Sequence, residues 1–452
     1  MRYKGFMFVI LISFLISFVA CNTYTVEHVE YVNNDTFEHI ESEIEDFDDD
    51  EEEEHQQITS TLISSRPQEE YLEDLDFLYN TLRDNFPYFG VIKRILDVDL
   101  HERYAITREH ITTSNVRNDE HFIAILNHFF LNHARHRGHL DMLTGNFLKQ
   151  HIQNFSSQIA LGSDSFLNYL KEVDNPATRA LHRLTDDDFV PPKLGENSLA
   201  FATSSNNIHT NIIEDEKIAY LEIRSMSNST MHIDSETLLD FFHDVADYEH
   251  IIIDIRQNRG GSSHFFPSTV MAPNIVAPLE FHYYMFLMDG AHNKHKLEPR
   301  FGPWETSTYQ PVSNDLLSSL EYLNADDAKL LSLYNESSIL ITPTGDEPIF
   351  KGKFWLLVGP RNFSASENAA AIAKETGFAT LVGQTTGGDG LGFDPVVLAL
   401  PNTGVIVRYS AGYGTDILGR NNQEFPTEPH IFELPGKDAL QTVLYLIEKG
   451  EY

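Results

Sequence analysis

The sequence predicts an α/β protein with a mainly helical N-terminal region. Apolar residues recur at helical spacing between Tyr71 and Phe86. A run of β-branched residues at 251–255, interrupted by Asp254, is typical of a strand buried on both faces. From residue 217 onward, strand-like and helix-like segments alternate. Such alternation favours helices layered on a largely parallel sheet.

Composition limits the function classes. The chain has 452 residues, enough for more than one domain, and 41% of them are hydrophobic. Its formal net charge of −36 argues against a nucleic-acid partner. Much of that charge lies in one run, from Glu38 to Glu54. A block of like charges repels itself, so we expect residues 21–65 to form an acidic disordered tether.

The N-terminus is typical of a secretion signal. A basic start is followed by an apolar stretch from Gly5 to Ala20, which is shorter than the roughly 20 residues of a membrane span. Cys21, the only cysteine, comes next, and the segment resembles a bacterial lipoprotein signal. We therefore expect a signal peptide at residues 1–20 and a lipid on Cys21, with an uncleaved membrane anchor as the alternative. Either places the protein on the extracytoplasmic face of the bacterial cell membrane.

Two folded regions are expected after the tether. Residues 66–190 are predicted to be a helical N-terminal domain, with a first helix stopped by Pro87 and a second over residues 119–134. Residues 191–452 are predicted to be an α/β core. Residues 270–345 interrupt the alternating pattern and are interpreted as an insertion with its own helices.

In the predicted α/β core, a serine lies where the sequence indicates a strand, a loop and then a helix. The strand is Phe354 to Val358, and Ser364-Ala365-Ser366-Glu367 opens the helix. Unpaired N–H groups and the helix dipole favour negative charge there, so Ser364 is a candidate nucleophile. The alternative is that one of the two serines only caps the helix.

Two glycine-rich loops flank this segment in sequence. Residues 254–261 read Asp-Ile-Arg-Gln-Asn-Arg-Gly-Gly after the buried strand. Paired glycines let backbone N–H groups approach a ligand and form an oxyanion hole, although a plain turn has the same composition. Residues 381–390 run from a strand into a second glycine-rich loop.

Together these segments resemble the C-terminal-processing and tricorn-type serine peptidase family. The matching motifs are residues 254–261, 364–367, 383–388 and 424–429, within a similarity spanning about 217–435. The resemblance implies a crotonase-like α/β core, Ser364 as nucleophile, a peptide or protein substrate and no cofactor. It also implies an oxyanion hole made by the N–H groups of Gly260 or Gly261 and of Ala365.

The general base departs from the commonest family pattern. Many members place a lysine 25 residues after the serine, but Asp389 occupies that position here. Lys374 cannot replace it, because ten residues of helix put it roughly 15 Å away. The resemblance to the histidine-using branch implies His139 as base, a residue type suited to proton transfer near neutral pH. It implies Glu424 as the polar partner that orients or polarises the site.

Other interpretations stay open. His128, His133, His136 and His139 cluster in sequence, but no cysteine is nearby and their spacing fits no known zinc helix motif, so no metal is predicted. The segment between residues 139 and 218 lacks a carboxylate-binding loop, so tail specificity is not inferred. A second hypothesis is an inactive family member that binds peptides or envelope proteins, because the lysine is missing. A third is a lipoprotein that binds a small solute or metal.

Overall fold

A computed structural model describes residues 66–160, 166–191, 206–301, 308–393 and 395–451. The predicted signal peptide, Cys21 and the acidic tether lie outside these ranges. Within them, no helix combines the length and the apolar character that crossing a bilayer would require.

The first part of the chain is mainly helical. Its elements are α1 (Gln68–Asn85), α2 (Phe89–Leu96), α3 (Leu100–Thr113), α4 (Asp119–Phe129), the short strand β1 (Asp141–Leu143), α5 (Gly145–Ala160), α6 (Leu167–Val173) and α7 (Pro176–His182). Helix α1 buries the face carrying Tyr71, Leu75 and Leu82. It ends because Pro87 disfavours helical geometry at the preceding Phe86, whose backbone is extended.

The second part alternates strands and helices. Its elements are β2 (Ile208–Glu214), β3 (Ile218–Ile223), α8 (Met231–Asp244), β4 (His250–Asp254), β5 (Leu279–Leu287), α9 (Ala291–Phe301), β6 (Gln310–Pro311), α10 (Asn314–Ser319), α11 (Ala325–Ala328), β7 (Leu333–Ile341), β8 (Lys353–Val358), α12 (Ala365–Glu375), β9 (Thr380–Gly383), β10 (Val396–Ala399), β11 (Ile406–Tyr409), β12 (Gly412–Thr415), β13 (Ile431–Phe432) and α13 (Ala439–Lys449). The fold is mixed α/β, as predicted.

The central sheet has the strand order β13–β9–β8–β4–β3–β2. Its strands pair in parallel, except that β2 pairs antiparallel with β3. Ile251 and Ile253 of β4 face α8 and α12, whereas Ile252 faces α13. Helices thus cover both faces, which explains why the central residues of β4, Ile251 to Ile253, are all apolar.

Two further sheets position the rest of the site. Strands β12, β5, β7 and β6 form one sheet in that order, and β1, β11 and β10 form the other. In the second of these, Asp141 of β1 is paired in register with Arg408 of β11. The N-terminal part of the chain therefore contributes a strand to a sheet of the C-terminal part.

The helical region does not have a core of its own. Tyr71, Phe86 and Tyr88 belong to one hydrophobic cluster with Phe286 of β5 and Tyr409 of β11. The boundary predicted near residue 190 thus divides two stretches of sequence that share buried side chains. The interval 270–345 contains helices α9 to α11 and also the long strands β5 and β7, which the sequence analysis did not identify.

Candidate active site

Ser364 lies at the junction between the turn after β8 and helix α12. Its backbone has φ 57° and ψ −124°, a conformation that non-glycine residues rarely adopt and that is typical of strained functional positions. Its N–H donates to the carbonyl of Gly388 at 3.2 Å. Although it occupies the N-cap position, its side chain makes no capping hydrogen bond. The hydroxyl is therefore available for another partner.

The second serine of the motif has a structural role. Ser366 is fully buried, and its hydroxyl donates to the carbonyl of Asn258 at 2.6 Å. It also accepts from the N–H of Phe363 at 3.0 Å. These bonds tie the start of α12 to the loop after β4.

His139 meets Ser364 directly. Its Nε2 lies 3.2 Å from Ser364 Oγ, within hydrogen-bonding reach of a nucleophile and its base. The imidazole is 12% exposed, and its ring centroid lies 4.9 Å from that of Phe363. The residue follows Gly138 in a short 3₁₀ turn, and both have positive φ. This turn and β1 carry the histidine from the N-terminal part of the chain to the serine.

Asp389 lies on the opposite side of the imidazole. Its Oδ2 is 2.7 Å from His139 Nδ1 and also accepts the His139 backbone N–H at 3.0 Å. The carboxylate is 3% exposed. A proton on Nδ1, held by this carboxylate, leaves the lone pair of Nε2 facing the serine. Ser410 Oγ lies 3.2 Å from the same Nδ1. The arrangement is that of a Ser-His-Asp triad.

Glu424 is held elsewhere. Arg94 donates to both of its carboxylate oxygens, through Nε at 2.8 Å and Nη2 at 2.7 Å. Arg94 is also paired with the buried Asp327. The structure therefore gives Asp389, rather than Glu424, the place beside His139. Sequence reasoning treated position 389 only as a missing lysine. An acidic residue at that position, in a chain with a histidine base, was the signal that could have identified it.

The segment before Glu424 supports the Asp389 loop. Asn422 Oδ1 accepts the N–H of Gly390 at 2.6 Å, and its Nδ2 donates to Glu367 at 2.8 Å. From the other side, Arg137 donates to the carbonyl of Gly387 at 2.7 Å. The loop that carries Asp389 is thus fixed both to α12 and to the segment that carries His139.

Gly260 lies against the nucleophile. A Cβ atom on it would come within 2.7 Å of the Phe363 carbonyl oxygen, 2.9 Å of Ala365 N and 3.0 Å of Ser364 Cβ. Its φ of 107° also favours glycine. Only glycine allows this close approach of the two loops.

The candidate oxyanion donors separate into two groups. The N–H of Gly260 donates to Asn258 Oδ1 at 2.8 Å and is therefore engaged. Among the described residues, the N–H groups of Gly261 and Ala365 have no protein partner. Ala365 is the first residue of α12, where backbone donors lack intrahelical acceptors. Gly261 and Ala365 are consequently the donors that remain for an oxyanion.

The other candidate groups have partners outside the reacting pair. Lys374 Nζ donates to the carbonyl of Glu428. His133 Nε2 lies 3.0 Å from Arg103, and His136 Nδ1 lies 3.3 Å from Asp141. Over the described ranges, no three His, Cys, Asp or Glu side chains gather as metal ligands would.

Comparisons with known proteins bear on the reaction class and on the fold. Residues 217–432 match the model of Peptidase family S41. A crystal structure of a CPAF mutant is similar at a TM-score of 0.50 and 14% identity, over 85% of this chain and 97% of that one. A lipoprotein structure from Streptococcus agalactiae has a TM-score of 0.42 and 12% identity, over 87% of this chain and all of that one. No curated protein matches the sequence. The family match supports a serine peptidase, and the CPAF likeness supports the fold.

Proposed function

We propose that this chain is a serine peptidase that cleaves peptide bonds through an acyl-enzyme on Ser364. The observation that carries the proposal is the 3.2 Å approach of His139 Nε2 to Ser364 Oγ, with the Asp389 carboxylate 2.7 Å from Nδ1. A hydroxyl, a base and an orienting acid in this order are the parts that acyl transfer requires. The Peptidase family S41 match over residues 217–432 independently favours the same reaction.

The steps follow from the positions of these groups. His139 takes the Ser364 proton as Oγ attacks the peptide carbonyl, and Asp389 stabilises the resulting imidazolium. The oxyanion accepts hydrogen bonds from the N–H groups of Ala365 and Gly261. His139 then protonates the leaving amine. In the second half of the reaction His139 takes a proton from water, the water attacks the acyl group, and the proton returns to Ser364 Oγ. Loss of one oxyanion donor typically costs about 10²–10³ in rate.

Two finer features complete the proposal. The catalytic part adopts the crotonase-like arrangement, supported by the family match and by the parallel central sheet. The protein acts at the extracytoplasmic face of the bacterial cell membrane, held by a lipid on Cys21. The support for that location is the basic start, the short apolar stretch and the cysteine directly after it.

An inactive peptide-binding lipoprotein is the alternative, and its motivation is the absence of a lysine at position 389. The position of Asp389 weakens this motivation, because its carboxylate supports a histidine base.

Labelling with a fluorophosphonate probe tests the proposal. The wild-type chain is expected to form an adduct that peptide mapping places on Ser364, whereas Ser364→Ala is not labelled. Ser366→Thr keeps a hydroxyl at the buried serine and provides a control outside the reaction. A folded wild-type chain that takes no label and cleaves no peptide library would favour the binding protein.

A further inference from the structure

Several basic side chains lie near the site, although the chain as a whole is acidic. The formal net charge is −36. Arg259, His136 and Arg408 nevertheless lie beside the Ser364–His139 pair, each on a segment that contributes to the site. These three side chains are called the basic group below. His136 and Arg408 both pair with the Asp141 carboxylate, and the charge of Arg259 acts on His136.

Arg259 comes directly before Gly260, where an added Cβ atom would lie 3.0 Å from Ser364 Cβ. It is exposed. Within the described ranges its guanidinium forms no ion pair and no hydrogen bond with the protein, although its charge acts on the nearby His136. An unpaired arginine next to the nucleophile has its donors available for a bound molecule.

His136 and Arg408 share one acidic partner. His136 Nδ1 lies 3.3 Å from Asp141 Oδ2, and Arg408 Nη2 lies 3.7 Å from the same oxygen. The hydrogen bond to Asp141 raises the pKa of His136, so its imidazole is charged over a wider pH range than usual. The Nε of Arg408 is buried and has no hydrogen-bond partner. Asp141 is thus shared by two cations, Asp389 acts on Arg408 through its charge, and no carboxylate among the described residues pairs with Arg259.

The basic group is linked to the reacting atoms. Arg408 and Ser410 lie two residues apart along extended chain, a spacing that places side chains on the same side. Ser410 Oγ is 3.2 Å from His139 Nδ1, and its N–H donates to the carbonyl of Gly138 at 2.7 Å. A substrate group that reaches the basic group is thus close to the bond being cleaved.

We infer that the site selects peptides that carry a carboxylate next to the scissile bond, and that Arg259 is its main partner. This inference rests on the proposed peptidase function and names its substrate class. An arginine binds a carboxylate through paired hydrogen bonds, and His136 adds a second positive charge. The carboxylate has two possible sources, an aspartate or glutamate side chain and the free C-terminus of the peptide.

Binding to the full-length Ser364→Ala chain tests the inference without requiring turnover. Fluorescent peptides are compared in two matched pairs: internal Asp against Asn, and a free C-terminal acid against its amide. At least one pair should show about fivefold or tighter binding of the acid, as one partly exposed charged hydrogen bond provides. The pair that discriminates identifies the source. The preference should weaken as salt is raised.

Variants in the same background assign the effect to Arg259. Arg259→Gln should abolish the preference, and Arg259→Lys should retain part of it. Arg117→Gln removes an equally exposed arginine beside His121 in the helical region and should leave it unchanged. Equal affinity for acid and neutral peptides, or an unchanged preference in Arg259→Gln, would overturn the inference. Selective binding without cleavage by the wild-type chain would instead reject only the peptidase function.

Discussion

At the scale of single residues, Asp389 determines how His139 is used. Its Oδ2 accepts both Nδ1–H and the backbone N–H of the same histidine. The side chain therefore fixes the tautomer as well as the orientation of the ring. A lysine at this position would place a cation there and could not accept these protons. An aspartate at position 389 is therefore the residue type that a histidine base at position 139 requires.

We predict that Asp389→Asn lowers kcat/KM for peptide cleavage by about 10³–10⁴-fold, because an amide favours the wrong imidazole tautomer. The fold should survive, since the two side chains have the same shape. Glu424→Gln is the matched control: its carboxylate pairs with Arg94 and is expected to change kcat/KM by less than about tenfold. Steady-state assays with melting temperatures check both. A larger loss in Glu424→Gln than in Asp389→Asn would refute this assignment.

The site could be predicted from sequence only in part. Ser364 could be named because a strand, a loop and the start of a helix surround it in sequence, and His139 was named by resemblance to the histidine-using branch. Asp389 could not be assigned in the same way, because its partner lies 250 residues earlier in the chain. Glu424 was named by resemblance, yet it contacts Arg94, which lies 330 residues earlier in the chain. Pairings across such separations are set by tertiary structure.

At the scale of elements, the predicted strands and helices of the central sheet are present. The strand predicted at 251–255 is β4, and the helix predicted to open within Ser364–Glu367 is α12, which begins at Ala365. Strands β5 and β7 were missed. They are long and only partly buried, so neither a continuous apolar run nor strict alternation marks them.

Helix α1 is joined to the connection between β10 and β11 by one buried carboxylate. Asp74 accepts the N–H of Asn402 at 2.9 Å and both the N–H and hydroxyl of Thr403, at 2.8 and 2.6 Å. Asp74→Ala leaves these donors without an acceptor, so we expect it to lower the free energy of unfolding by about 2–4 kcal/mol. Urea denaturation measures this.

The control for that prediction is Asp76→Ala on the same helix, whose carboxylate pairs with the exposed Arg108. Asp76→Ala should lower the free energy of unfolding by less than about 1 kcal/mol. Equal stability of the Asp74 and Asp76 variants would show that the buried contact does not hold α1 in place.

At the scale of the whole molecule, two partly buried histidines couple stability to pH. Burial lowers the pKa of His182 to about 4, and burial likewise lowers the pKa of His292 to about 4. In the unfolded chain both titrate near 6.5. Between those values the unfolded state binds more protons, so stability is complete above about pH 6.5 and is lost as the pH falls.

We therefore predict that each of these histidines lowers the free energy of unfolding by about 1–2 kcal/mol when the pH falls from 7 to 5. The double variant His182→Gln/His292→Gln should show a smaller fall in melting temperature over that interval. His232→Gln, at a largely exposed position, should keep the wild-type fall. An unchanged fall in the double variant would contradict the prediction.

The proposed anchor makes a separate prediction about location. Cys21→Ser removes the only thiol in the chain, so the lipid has no attachment site. We expect the variant to leave the membrane fraction, or to remain unprocessed, while the wild-type chain stays with the membrane after a salt wash. Fractionation and intact mass check this. A wild-type chain without a lipid mass on Cys21 would reject the anchor and leave the active-site proposal unaffected.

The central claim is that Ser364 forms the covalent intermediate, and trapping that intermediate tests it most directly. A peptide substrate or an activated ester is mixed with the full chain, and the reaction is quenched in acid. The protein is then digested, and the masses of its peptides are measured by mass spectrometry. We predict an acyl group on the peptide that contains Ser364, and none in Ser364→Ala or His139→Ala. Full turnover by Ser364→Ala, or an acyl group on a different residue, would contradict the claim.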